Sequence, residues 1–394
     1  MSLTDAKRCN LQYCALQFLY WMLACLAIPF SSVYLLDFGY SNTEIGLILA
    51  VGYVVGMLLQ PLTAMLADSV SQMRPSAFLS MLCAAHLLLA VGLLFCRSRS
   101  VPFLILFTGY FSLQNALRPH INSFAFYIER AGVPIRFGMA RGCGSLAWCL
   151  TSLLLGFLLE RFSPSVMVAL SGAVDLLLLF LLSGITVRRA LPQEEQAQSG
   201  AFGFLRGNPV FLLLLFGIIF DYFGFSFINN YPYQIVSHAG GTRTDMSRLV
   251  SFIAVVELPA MFGFEFLYHK LGCKKLIVFS AVFFVVRNVL LVLCGSVASL
   301  FLTNSFHMLS YAILIPATIR YTEETVDAGN VTTAQALLTA AMGVGNILSS
   351  ISGGWMIDLF SVGGMLTIGA TATALGSAAV ISSIALAKKP ADMR

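Results

Sequence analysis

The chain has 394 residues, 58% of them hydrophobic and 10% charged, with a net charge of +5 and a mean hydropathy of +0.85. A soluble domain carries about 25% charged residues, and no water-soluble fold of this length could hide so much apolar surface, so lipid must be the solvent for most of the chain. The positive residues sit in short loops and form no patch, which argues against a nucleic-acid partner, and the nine cysteines hold no CxxC pair and read as small hydrophobes.

The opening MSLTDAKRCN runs into an apolar stretch without a small-residue cleavage site. It predicts a first membrane helix and not a removable signal. A helix needs about 20 apolar residues to cross a bilayer. Twelve spans are predicted, at 11–36, 42–67, 76–96, 101–129, 137–159, 164–186, 208–236, 247–268, 275–296, 299–319, 331–357 and 363–387. The polar stretch VRRALPQEEQAQSGAFGFLRGN (187–208) divides them. This predicts a six-helix bundle at 1–186, a linker at 187–207 and a second six-helix bundle at 208–394. A pseudo-repeat of that kind is typical of secondary transporters. With the N-terminus in the cytosol, 15 Lys and Arg fall on the cytosolic side, 5 outside and 3 within spans. That bias places both termini inside.

In chain order, the first polar landmarks are Asp68, which ends QPLTAMLAD at the inner end of span 2, and Arg74, which closes the following loop. With Glu129, at the inner end of span 4, they read as gate or helix-end groups. Arg118 is midway along span 4, in NALRPHINSF, beside His120 and Asn122. A charge at mid-bilayer costs roughly 2.5–3.5 kcal/mol on insertion scales, so Arg118 is expected to face a wet cavity. Arg141 opens span 5 in FGMARGCGSLAW, and Trp148 follows two turns along the same face. An arginine fork can hold hydroxyls or a carboxylate, and an indole face can stack on a sugar or aromatic ring; a snorkelling arginine and a packed tryptophan are the plainer alternative.

The second half carries Asp221 in span 7, Glu257 in span 8, Arg287 in span 9 and His307 in span 10. Asn229 and its neighbours extend the polar stretch of span 7. A carboxyl group in a desolvated cavity can take up a proton near neutral pH and couple solute movement to a proton gradient. A structural ion pair is the alternative for each. Stretches such as GCGSLAW and ATATALGSAA (370–379) let helix backbones approach. No catalytic triad, phosphate loop or metal-spaced cluster appears, so neither an enzyme, a cofactor nor a metal is expected. Isolated interior charges that form no rings speak against a channel.

These strings resemble the major facilitator superfamily, and within it the lactose permease group of oligosaccharide:proton symporters with the related phenylpropionate-type permeases. The likeness lies in IPFSSVYLLD, NTEIGLILA, QPLTAMLAD, FGMARGCGSLAW, VELPAMF, VVRNV and FHML, in that order and spacing. It implies an all-α polytopic membrane protein of twelve helices in two pseudo-symmetric six-helix bundles, acting as a monomer on a small-molecule substrate. It implies that Arg141 and Trp148 bind sugar and that Glu257, Arg287 and His307 serve binding and proton coupling. It matches Asp221 and Asn229 to polar positions of span 7. The substrate set is then Arg118, Asn122, Arg141, Trp148, Asn229, Arg287 and His307; the proton set is Asp221, Glu257 and His307.

The departures are specific. The family's sugar-contacting carboxylate falls at Ala125, its proton-releasing carboxylate at Ser310 and its span 10 lysine at Asn304. The acid paired with that lysine falls at Gly224, the lysine expected opposite Asp221 falls at Met342, and Ala64 stands where the cytosolic hairpin usually has glycine. Asp221 is therefore expected to be protonated or to find another cation, with Arg287 the candidate. The cargo read from this set is a small saccharide or glycoside, held between Arg141 and Trp148 on one side and Glu257, Arg287 and His307 on the other. An organic anion, an aromatic acid or a nucleoside is the runner-up, and a non-transporting membrane sensor is the competing class.

Overall fold

A computed structural model describes residues 3–70, 73–130, 132–135, 137–185 and 201–387. Among these, α-helices α1 (Leu3–Ala27), α2 (Ser31–Asp37), α3 (Asn42–Ser69), α4 (Pro75–Phe95), α5 (Val101–Arg130), α6 (Phe137–Leu159) and α7 (Val166–Ser183) form the first part. They are followed by α8 (Ala201–Gly207), α9 (Pro209–Asn230), α10 (Pro232–His238), α11 (Arg243–Leu271), α12 (Cys273–Val292), α13 (Val297–Asn304), α14 (Tyr311–Thr325) and α15 (Val331–Leu386).

Local chemistry sets these boundaries. Ser41 caps α3 by accepting from the Glu44 amide at 3.3 Å, while Glu44 accepts from the Ser41 amide at 2.8 Å. This reciprocal pair satisfies two amides that the first turn leaves open. Pro75 starts α4 and Pro209 starts α9, where a missing N–H costs nothing. Pro29 lies in the turn between α1 and α2, which bend by 40° into one broken span. Pro232 likewise separates α10 from α9. A short 3₁₀ turn over Ser305–Met308 links α13 to α14. α15 folds back at Ser361, whose φ of 68° and ψ of 172° are non-helical.

Nine described helical segments are long and apolar enough to cross a membrane, or ten when the bent α1–α2 pair counts as one. α5 is not among them, because it carries Arg118, His120, Glu129 and Arg130 over its second half. α15, at 56 residues, holds both of the last two predicted spans. With α5 and the two arms of α15 taken separately, the described segments match the twelve expected. The predicted linker is described only in its last part. Its 201–207 part is helical as α8, with Phe204 buried edge-on to Phe211 at 5.2 Å, because that aromatic pair gives the segment an apolar anchor. Residues 187–200 lie outside the described residues.

Two compact units emerge, Met1–Pro192 with Thr242–Val255, and Gln193–Gly241 with Val256–Arg394. In the first, α1 packs on α6 and α5, α3 on α5, and α4 on α5 and α7. In the second, α9 lies against α15, which also meets α12. The approach of α9 to α15 is backbone to backbone. A side chain at Gly217 would sit 2.7 Å from the Gly376 carbonyl, at Gly224 2.6 Å from the Gly369 carbonyl, and at Gly345 2.6 Å from the Ile219 carbonyl. The small-residue stretch ATATALGSAA is thus a packing seam.

Candidate functional site

In the first unit the candidate side chains gather around Trp21 of α1. The Arg141 guanidinium of α6 lies 4.3 Å from its ring centroid and that of Arg118, on α5, 5.6 Å away. The Trp148 ring is 5.9 Å off, tilted by 58°. Trp21 fits because position 144 is glycine: any side chain there would collide with its Cδ1 and lie 2.8 Å from Nε1. Buried Gln17, one turn earlier, fixes the indole by accepting from Trp21 Nε1 at 3.1 Å. Its Nε2 donates to Tyr13 Oη at 2.8 Å and to Asn122 Oδ1 at 3.1 Å. Arg118 Nε donates to Tyr20 Oη at 3.3 Å, and Arg141 Nη1 to Ser145 Oγ at 3.4 Å.

Arg118, Asn122, Arg141 and Trp148 are thus brought together around Trp21 and Gln17. The hub itself, Trp21, is absent from the sequence-derived set, as are Gln17 and Tyr20. Their signal was available as a polar i, i+4 pair inside an apolar span, Gln17 and Trp21. Among the described residues no carboxylate forms an ion pair with Arg141.

In the second unit, His307 Nε2 and Glu257 Oε1 are 2.6 Å apart, with side-chain exposures of 2% and 14%. The imidazole lies in an aromatic stack, 5.7 Å from Phe225 and 5.1 Å from Tyr311, which themselves stack at 4.7 Å. Arg287 is fully buried. Its Nη2 donates to Asn304 Oδ1 at 2.7 Å, and its guanidinium lies 5.5 Å from the Phe225 centroid. Its Nε and Nη1 have no hydrogen-bond partner among the described residues. Buried donors left unsatisfied cost about 1–3 kcal/mol each, more for a charged group. Glu257, Arg287 and His307 therefore share one polar neighbourhood around Phe225.

Asp221 does not join it. Its Oδ1 accepts from Ser377 Oγ at 2.8 Å, and Ser377 also donates to the Ala281 carbonyl at 3.0 Å. Of the two alternatives for Asp221, pairing with Arg287 is not what the structure shows: the arginine turns to Asn304 and the acid to a serine of α15. Asn229 is half-buried near the end of α9, and no described hydrogen bond brings it to the Arg287 group. Gly224, where the resemblance implies an acid, is filled by the α15 backbone. Ser310 donates to the Phe306 carbonyl at 3.0 Å and carries no charge.

Of the gate residues, Arg74 is an exposed residue at the N-cap of α4 and Glu129 is exposed near the end of α5; no described ion pair joins them. The Asp68 side chain lies outside the described residues. No group of three metal-ligating side chains occurs among the described residues.

A family model described as the MFS_1 like family matches residues 11–366. The chain belongs to this family of the major facilitator superfamily. Like other members it is a transporter and not an enzyme. A maltose permease from Geobacillus stearothermophilus is 26% identical over 373 residues, covering 92% of this chain and 90% of that protein. A probable 3-phenylpropionic acid transporter from Escherichia coli K12 is 26% identical over 315 residues, covering 77% and 79%. The fold is similar to a crystal structure of the nucleoside transporter NupG, with a TM-score of 0.78, 15% identity and coverage of 97% of this chain and 99% of that one.

Proposed function

We propose that this MFS_1-like transporter is a proton-coupled symporter of a small sugar or oligosaccharide, working as a monomer by alternating access in the inner membrane with both termini cytosolic. The observation that carries this reading is the Trp21–Arg141–Trp148 cluster. Two indole rings offer stacking surfaces to the apolar face of a sugar ring, and the arginine fork offers paired donors to its hydroxyls. The likeness to a maltose permease over nearly the whole chain supports it. The proton gradient is the driving force, and no cofactor is needed. Glu257 with His307 is the first choice for the coupling proton, since a carboxylate and an imidazole in contact can exchange one; Asp221 is the second.

A second reading, transport of an organic acid such as an aromatic carboxylate, is favoured by Arg141. It has no described carboxylate partner, and Ala125 stands where the lactose permease group has its sugar-contacting acid. An arginine without an internal counter-ion suits an anionic cargo.

Uptake into proteoliposomes by a panel of sugars and organic acids, with and without an imposed pH gradient, tests both. Accumulation of a sugar that collapses without the gradient supports the first reading. Accumulation of acids alone replaces it with the second. Saturable binding with no counterflow would mark a non-transporting sensor.

A further inference from the structure

A buried ionisable pair in the first unit plays no part in the cluster around Trp21. His86 of α4 and Asp175 of α7 are both fully buried, with Nδ1 and Oδ2 2.7 Å apart. The imidazole stacks on Tyr110 of α5 at 4.5 Å. The Tyr110 hydroxyl is 2.7 Å from Ser171 Oγ, one turn before Asp175 on α7. The pair thus ties three membrane-spanning helices together. The titratable groups that face it among the described residues are Cys83 on α4 and Tyr110 on α5, with Tyr34 of α2 facing Tyr110.

We propose that His86 and Asp175 form a proton-binding site of the N-terminal half, whose proton holds α4, α5 and α7 in the described arrangement. Stability alone is a poor reason for such a pair, because apolar residues of similar volume usually serve a dry interior as well or better. A purely structural polar network would also be complete, yet His86 Nε2 and Asp175 Oδ1 have no hydrogen-bond partner among the described residues. Ionisable groups inside a membrane mark proton or ion pathways by default. In the loaded form one proton is shared between Nδ1 and Oδ2, and the pair is neutral overall. Release sends that proton to water and leaves a neutral imidazole beside a lone carboxylate. A lone charge in that interior is not tolerated, so release requires α4 and α7 to part. Tyr110 transmits the change to α5, which carries Arg118 eight residues on, about 12 Å along the axis.

The test uses the solubilised full-length carrier and needs no cargo. The ring signals of isotope-labelled histidines are followed between about pH 5 and 9, with His86 assigned by H86Q. Unfolding temperature is measured over the same range for wild type and for H86Q/D175N, whose amides can still bond each other. The expected result is a change of protonation state at His86, with an unfolding temperature that falls further on alkalinisation in wild type than in the double variant. An unchanged His86 signal, or parallel unfolding curves, overturns the proposal. Should the double variant fail to fold, D175N alone is read by the same signals. Titration of His86 identical to wild type in D175N overturns it, and an altered or abolished titration supports it.

Discussion

Arg141 lies over the face of Trp21, its guanidinium carbon 4.3 Å from the ring centroid. A cation over an indole is stabilised by about 0.5–2 kcal/mol depending on desolvation. The contact orients both groups without using the guanidinium's in-plane donors, of which one reaches Ser145 Oγ and the others are left for a ligand. The ring owes its position to Gly144 and to the acceptor on Gln17.

Gly144→Ala is therefore expected to displace Trp21, since the added methyl cannot coexist with the ring where it is. The loss should appear as roughly tenfold weaker apparent affinity for the cargo that the uptake panel identifies, equivalent to about 1.4 kcal/mol. Trp21→Ala should match or exceed it. Uptake kinetics of the two variants, with a thermal-unfolding control for folding, provide the check. An unchanged KM in both would remove Trp21 from the binding surface.

Asn304 accepts from Arg287 at 2.7 Å. Asn304→Ala should lower stability by about 1–3 kcal/mol, because it strips a hydrogen bond from a buried cation. Asn304→Lys, which installs the residue that the lactose permease group carries there, should be worse, since two cations would then share one dry site. Asn304→Asp should preserve the fold. Unfolding temperatures of the three purified variants test this order.

Glu257→Gln keeps the shape of the His307 contact and deletes its charge. If this pair carries the coupling proton, gradient-driven accumulation is lost and cargo exchange at equal pH survives. Asp221→Asn separates the alternatives: Asn can still accept from Ser377, so folding is retained. Loss of accumulation in the aspartate variant alone would move the coupling site to Asp221. The experiment is accumulation against exchange in the same vesicles, repeated across external pH. Wild-type accumulation should rise as the outside is acidified, and the uncoupled variant's should not.

Cys149 Sγ and Ser251 Oγ are 3.0 Å apart on α6 and α11. Nearby, a side chain at Gly156 of α6 would stand 2.5 Å from Ser247 Cβ of α11, and Thr244 of α11 donates at 2.5 Å to Glu160, just past the end of α6. Ser251→Cys should form a disulfide with Cys149 under mild oxidation, as the side chains are already in reach. Cross-linking should raise the unfolding temperature and, if α11 must leave α6 during turnover, stop transport until reductant is added. Full transport by the oxidised variant would show that this contact persists through the cycle.

The spans were legible because lipid demands long apolar runs, and a run is a local property. Arg141 and Trp148 could be placed on one helix face by spacing, and the family resemblance is what singled them out as candidates. Trp21 was not legible, since an indole in an apolar span also suits plain packing, and its meaning depends on Gly144, 123 positions away. The Ser377 partner of Asp221 lies 156 residues on and carries no charge to advertise it. Asp175 was hidden by its surroundings, VALSGAVDLLLLFLL, and by a partner 89 residues earlier. Periodicity ranks faces of one helix; it does not say which helix will meet them.

The glycine contacts of α9 with both arms of α15 limit how this carrier can be altered. At Gly217, Gly224 and Gly345 a main-chain carbonyl stands 2.6–2.7 Å from where a side chain would begin, so shifting the neighbouring side chains alone cannot make room for a new bulk. Those three helices must tilt as one stiff board. On the function proposed above, a change of diet therefore has to be written on other surfaces, by swapping groups such as Trp21 or Arg118 that lie away from this main-chain seam.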